Sequence, residues 1–521
     1  MATQEGGCCF ESWMYPNRWQ QMGGEKCDQD SSSCAASEWS LVKKLGQARA
    51  NEVFLNHWST WFTQEHVDRI KALSLDHVKI PMGFWIIEEL VQHPAERYPQ
   101  GGWLELKRGL RQLKSAGLNV QLSMYAMPGV STANQNFAGN NTDQVHFYED
   151  ANYRRALTWA AILTAMSHLD PDFQRVLGIL SVNEPERNTT KTPGLEQYYA
   201  DFVTIIRVVE YALGISCDVD LQPALQRMSS SHNVIPALLA AIPLLPVYAA
   251  KANPPLDVKA LTCFLIEQCH ESSNNRTHSN QSLNSTQHLV SDPKLEITTH
   301  DTSTASSHVD VVNDPVIGIS QGAYVRPFVH KPLSQGYISH RSRSYENVPS
   351  SRRSQQSSDR FCITTMALPK TWQWQNDSAS MAPHVLGPRA YEDHLYFAYG
   401  GVAKNATYDS YLDTICAFDR VEVAKANGEV PYGMGEFSLA TNFNATLDEL
   451  RGWGDAQKFY QKKASFWTFW TFRIEDPIGP DAIKFAQQWS YFRGVDDGII
   501  PAQPSHLFNT SICQGREKKL N

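Results

Sequence analysis

Three short stretches place chemically active side chains where apolar runs stop. Ser181-Val182-Asn183-Glu184-Pro185 sets an amide beside a carboxylate, and Gly435-Glu436-Phe437 supplies a second carboxylate. Asp393-His394-Leu395-Tyr396 adds a histidine and a phenol. Two carboxyls facing each other across a cleft can cleave a glycosidic bond. In the retaining mechanism one protonates the leaving oxygen and the other attacks, with roughly 5–5.5 Å between them. At that range like charges repel, so one carboxyl keeps its proton while the other ionises. A lone Glu at a strand end is better explained as a cap for the next helix. Two of them, with Asn183 beside one, favour the catalytic reading. Nothing implies a metal or another cofactor. Cys263 and Cys269-His270 lack a second pair at ligand spacing, and no phosphate-binding glycine loop or nucleophilic-serine motif occurs.

The elements that must hold these residues alternate along the chain. Apolar spacing near 3.6 predicts helices over His57–Leu73, Leu104–Ala116, Tyr153–Leu169 and Leu195–Leu213. Between them lie the strand candidates His77–Pro81, Asn119–Met124 and Val176–Val182. Alternation resumes at Ile363, with strands at Ala390–Phe397, Tyr432–Phe437 and Ser465–Phe472 and helices at Tyr411–Asn427 and Ala482–Arg493. Strand, helix, strand at this spacing marks a parallel α/β fold. Such a fold carries its active groups at strand ends when it closes into a (β/α)8 TIM barrel.

Between the two halves the composition changes. Glu271 to Asp310 has no Phe, Trp, Tyr or Gly, and His340 to Arg360 is rich in Arg and Ser. Such segments bury too little apolar surface to offset backbone ordering. The expected organisation is therefore a barrel N-terminal part with the acid/base over 1–263, a disordered low-complexity insertion over 264–362, and a barrel C-terminal part with the nucleophile over 363–521. The whole chain has 521 residues, 46 Lys+Arg against 54 Asp+Glu, and 14 Trp. An acidic balance argues against a nucleic-acid partner. Val234–Ala250, interrupted by three prolines, reads as buried helix and loop rather than a membrane span.

The ordered set His57-Trp58-Ser59-Thr60, Lys79-Ile80-Pro81-Met82-Gly83-Phe84-Trp85, Asn183-Glu184-Pro185, Gly435-Glu436-Phe437 and Phe469-Trp470-Thr471 resembles the family 5 glycoside hydrolases, specifically their exo-β-1,3-glucanase branch. The resemblance covers about residues 6–225 and 364–515. It implies a (β/α)8 barrel and a double-displacement mechanism that releases glucose from non-reducing ends of β-1,3-glucan. By that likeness Glu184 matches the acid/base and Glu436 the nucleophile. Asn183 matches the residue that binds the sugar 2-hydroxyl, while His394 and Tyr396 match the pair that tunes the carboxylates. Trp470 matches the stacking platform, with Trp85 expected near the cleft. Residues 6–13 look like a degraded form of a family segment in which Glu11 would hold sugar hydroxyls. Cys416 and Cys513 match positions bridged in relatives, and Cys27 with Cys34 offers a local bridge.

The sequence departs from the family in three places. Lys79 stands where an Arg usually holds the nucleophile, and Lys lacks the bidentate fork. Tyr125 replaces a His, and the first strand and signal region are missing. These departures motivate a second reading, a catalytically impaired glucan-binding barrel. A third is a related glucosidase acting on β-1,6-glucan or a glycolipid. Asn-x-Ser/Thr sites at Asn140, Asn188, Asn275, Asn280, Asn284, Asn376, Asn405, Asn444 and Asn509 favour an extracellular or cell-surface location. Met1–Gly7 shows no basic or apolar signal region, which points to a cytosolic protein or a truncated start. The expected partner is a β-glucan, met by a monomer with no membrane span.

Overall fold

Eight parallel strands close into a barrel in the computed structural model, each paired with the next in sequence. The structure describes residues 2–3, 11–27, 34–186, 188–215, 217, 219–270, 361–372, 386–476 and 478–517. The strands are β1 (Ala2–Thr3), β2 (His77–Gly83), β3 (Asn119–Ala126), β4 (Val176–Leu180), β5 (Thr364–Ala367), β6 (Arg389–Leu395), β7 (Tyr432–Phe437) and β8 (Trp467–Phe469). Six of the eight were legible as strands. The first strand, expected to be missing, is present: Ala2 and Thr3 pair with Val78 and Lys79 of β2, and Ala2 with Phe469 of β8.

Alternation along each strand divides two environments. On β2, Val78, Ile80 and Met82 join the apolar core shared with the surrounding helices. Lys79, between them, points to the barrel axis, where it meets Glu392 from β6. Asp150–Leu169 and Leu195–Ala212 are buried nearly all round, whereas Gly102–Ala116 buries one stripe. In Gly102–Ala116 that stripe is Trp103, Leu106, Leu110 and Leu113, and Gly117 ends the helix at φ 77°.

Three expected helices are each two. His57–Leu73 falls across Gln47–Trp61 and Gln64–Ala72, because Thr63 restarts the helix with its N–H on His66 Nδ1. Tyr411–Asn427 becomes Tyr408–Cys416 and Arg420–Ala426. Ala482–Arg493 becomes Pro480–Trp489 and Tyr491–Asp496, the second capped by Ser490 Oγ accepting from Arg493 N–H. In each case apolar periodicity runs through the join, and at Thr63 and Ser490 a capping group marks the break in the backbone. Val234–Ala250 folds as two short helices, Val234–Ala241 and Leu245–Ala250. Among the described residues no helix is long and apolar enough to cross a membrane.

Residues 264–270, assigned to the insertion from sequence, are described and helical. The helix spans 259–270, with Leu265 and Cys269 buried and the Phe264 ring 5.7 Å from Tyr211. At the other edge Cys362 is bonded to Cys217. The disorder expected of 271–360 falls outside the described residues. Cys416–Cys513 and Cys27–Cys34 are also bonded. Cys217–Cys362 was not foreseen, since nothing local connects cysteines 145 residues apart. A bond closing so long a loop restricts the unfolded chain strongly. Replacing both Cys217 and Cys362 by Ser should lower the unfolding free energy by about 2–5 kcal/mol, measured by urea unfolding. An unchanged midpoint would show that the bond contributes nothing.

Candidate active site

Four residues past the end of β4, Glu184 sits at φ 33°, a left-handed backbone that a side-chain-bearing residue adopts at a cost of about 1–3 kcal/mol. Thr132 Oγ1 donates to its carbonyl, and the Asn183 N–H donates to the Met124 carbonyl at 3.1 Å, which ties this turn to β3. Glu436 ends β7. On β6 the register slips between Asp393 and His394, so His394 pairs with Glu436 instead of Gly435. A bulge of this kind re-aims a side chain. Here it brings His394 between the two glutamates.

The resulting cluster is dense. Oxygens of Glu184 and Glu436 lie within 4.8 Å of each other and of a His394 ring nitrogen. His394 Nδ1 is 2.6 Å from Glu184 Oε1 and 3.5 Å from Glu436 Oε2. The Tyr396 hydroxyl donates to Glu436 Oε2 at 2.9 Å. Lys79 Nζ donates to Glu436 Oε1 at 2.8 Å and to Glu392 Oε1 at 2.7 Å. Glu392 also accepts from Gln121 Nε2 and faces His394 Nε2 at 3.2 Å. Gly435 makes room for this carboxylate, because a Cβ there would lie 2.6 Å from Glu392 Cβ and Cδ.

Burial and charge oppose each other throughout this cluster. Burial works against the Lys79 ammonium, but Glu392 and Glu436 outweigh it and leave its pKa above the usual value. Burial alone would raise Glu392, yet Lys79 and His394 hold it at about 2. Burial pushes Glu436 up; His394 and Lys79 pull it back, Glu184 adds to the rise, and the balance stays above the ordinary carboxyl value. His394 loses from burial and gains from Glu436, with Lys79 opposing and Glu184 and Glu392 assisting, and reaches about 9. Burial and the nearby Glu436 and Glu184 charges keep the Tyr396 hydroxyl protonated, hence a donor.

Above the cluster a cavity of about 580 Å³ opens, lined by both Glu184 and Glu436. One wall is Glu11, Trp13, Tyr125 and Trp470. Glu11 accepts from the Tyr125 hydroxyl at 2.9 Å and from Trp13 Nε1 at 2.5 Å. Tyr125 stacks on Trp470 at 5.5 Å and 10°. Trp372, Tyr399 and Trp489 line it further round, with Asn134, Gln135 and Asn141 supplying amides. Asn183 is fully buried beside Glu184, and its side-chain amide has no hydrogen-bond partner among the described residues.

Every residue singled out for this site from sequence therefore falls at or next to it, except Trp85, which is buried against Tyr98 at 4.1 Å and does not line the cavity. Residues 6–10 of the segment leading to Glu11 lie outside the described residues. Asp393, adjacent to His394, points the other way, to Arg420 and Tyr432. The fork lost at Lys79 is replaced by two contacts from one nitrogen. Sequence reading missed Glu392, Gln121, Trp372 and Tyr399. Glu392 was accessible in principle, because it lies two residues before His394 and so on the same face of β6.

No family model matches the chain. Over 207 residues it is 34% identical to a probable glucan endo-1,6-β-glucosidase B of Aspergillus flavus, covering 40% of this chain and 51% of that protein. A probable glucan 1,3-β-glucosidase A of Aspergillus fumigatus is 27% identical over 206 residues, 39% of this chain and 46% of the relative. Over about two fifths of its length the chain is similar to fungal glucan β-glucosidases. It spans about half the length of the curated relatives it matches. The family 5 resemblance holds at this level, but the exo-β-1,3 branch is not singled out, since relatives of both linkages match. A rutinosidase from Aspergillus niger shares the fold, with a TM-score of 0.50 at 12% identity over 96% of each chain.

The raised His394 gives a stability test. A group at about 9 when folded and 6.5 when free stabilises fully below pH 6.5 and loses that contribution as pH rises towards 9. The stability gap between wild type and His394→Gln should therefore be widest below pH 6.5 and shrink up to pH 9, followed by thermal melts across that range. A gap that widens with pH would contradict the assignment.

Proposed function

We propose that the chain is a retaining β-glucan hydrolase. The observation that carries this reading is the pair Glu184 and Glu436, with oxygens within 4.8 Å, close to the spacing of about 5–5.5 Å that suits a covalent intermediate and too short for a water held between them. Glu436 carboxylate attacks the anomeric carbon while Glu184 gives its proton to the departing oxygen, and the glycosidic C–O bond breaks. Glu184, now ionised, takes a proton from water, whose oxygen displaces Glu436 and leaves the β-anomer. Lys79 and Tyr396 hold the nucleophile's two oxygens and favour its ionised form. The free Asn183 amide suits the sugar 2-hydroxyl, and Trp470 backed by Tyr125 suits a sugar face.

The linkage reading shifts from β-1,3 towards β-1,6, because relatives named for endo-1,6 action are 31–34% identical and the 1,3 relatives 27%. An impaired glucan-binding barrel fits less well, since Lys79 keeps both carboxylate contacts. Three disulfides and exposed acceptor sites at Asn188, Asn405, Asn444 and Asn509 support an extracellular location.

Purified protein should release soluble sugars from a β-1,6-glucan faster than from the β-1,3-glucan laminarin, and product chain length separates endo from exo cleavage. No turnover on either polymer or on aryl β-glucosides would sink the hydrolase reading. Glu184→Gln should lose about 10²–10⁴ in rate on polymer. With a leaving group that needs no proton, azide should restore its turnover and yield the β-glycosyl azide, since azide attacks without a base. An α-product would exclude double displacement.

A further inference from the structure

Glu392 has no exposed surface and does not line the cavity, so it touches no substrate. Its contacts are all to the machinery. Oε1 accepts from Lys79 and faces His394 Nε2, and Oε2 accepts from Gln121. An imidazole has two distinct nitrogens, and the partner of one decides what the other carries. A carboxylate at Nε2 keeps a hydrogen there. The state of Nδ1 is then open, and Nδ1 lies 2.6 Å from Glu184 Oε1. One proton occupies that short bond, and it is the proton the leaving oxygen needs.

We propose that Glu392 is a positioning residue that acts through His394 to retain the acid's proton on the His394–Glu184 pair. The inference rests on the glycosidase reading of Glu184. The charged groups facing His394 fix the sign. Glu392 on its own strand, Glu184 after β4 and Glu436 on β7 favour a proton at the pair, whereas Lys79 from β2 opposes it at 3.5 Å. Removing one of three negative charges lets the proton leave at lower pH. The raised His394 agrees with this direction, and the space cleared by Gly435 shows that the barrel is built around the Glu392 carboxylate.

The test compares pH profiles of kcat/KM for wild type, Glu392→Gln and Glu392→Asp, on the β-glucan that wild type hydrolyses. The basic limb should fall by about one pH unit or more in Glu392→Gln and by less in Glu392→Asp, which keeps the charge but withdraws it by a methylene. A purely structural role would lower the rate without moving the limb, and an unmoved limb in folded variants overturns the proposal. If Glu392→Gln does not fold, Glu392→Asp decides. The ring carbon resonance of His394, identified by its loss in His394→Gln, should titrate lower in the same order. That readout needs no turnover. An inert wild type therefore sinks the hydrolase reading alone, while an unshifted His394 titration sinks this one.

Discussion

A lysine ammonium with no exposed surface must be neutralised where it sits, or it destabilises the fold by several kcal/mol. Lys79 meets that requirement with two carboxylates on different strands, Glu392 of β6 and Glu436 of β7. Much of the site follows from this one ammonium. Glu436 is held by it at one oxygen, leaving the other for Tyr396. Glu392 needs a further donor, which Gln121 provides, and a gap in the next strand, which Gly435 provides. His394 then lies between Glu392 and Glu184 and links the buried ion pair to the open cavity. An Arg would hold Glu436 with a rigid fork; Lys has a single point of charge and depends on a second carboxylate to share it.

The barrel explains why residues so far apart in sequence converge. Inward positions of parallel strands point to one axis, so Lys79, Gln121, Glu392 and His394 come together although 315 residues separate the first from the last. Just before β5, Cys217–Cys362 ties the chain to the segment that follows the helix Leu195–Ala212. The Arg207 guanidinium reinforces that junction by donating to the Ile363 carbonyl, and Glu210 accepts from the Ile363 N–H at 2.7 Å. A long insertion is tolerated there because closure cost grows only slowly with loop length.

What sequence disclosed and what it hid divide along physical lines. Strands buried on both faces read as apolar runs, and six were found. β1 was missed because two residues carry no periodicity. The joined helices were missed because apolar spacing survives a short break in the backbone, at Thr63 and Ser490 one marked by a capping side chain. Glu184, Glu436, His394 and Tyr396 were found through motifs at strand ends. Glu392 was hidden in the same strand, because a buried carboxylate signals itself only through its partner, and Lys79 lies 313 residues away. Trp85 was placed near the cleft by its motif, yet its ring turns outward to stack on Tyr98, which the sequence does not encode locally.

The division of labour within the cavity follows from the same layout. Glu436 and His394 stand on strands joined by the ion-pair network, and Glu184 is tied to β3 through the turn after β4, which suits chemistry that tolerates little displacement. The wall near Glu436 is also rigid, with Tyr125, Trp470 and Glu11 holding one another. Beyond Glu184 the lining changes character. Asn134 and Gln135 are exposed on the 132–141 loop, and Tyr399 is 76% exposed on the turn after β6. A leaving glucosyl unit joined through a primary 6-hydroxyl has one more rotatable bond than one joined through a ring 3-hydroxyl. It needs a wall that accommodates several approaches rather than a fitted slot. Loops with exposed amides and a projecting tyrosine provide that, so under the proposed hydrolase reading linkage preference would be set by these loops rather than by the buried cluster beneath them.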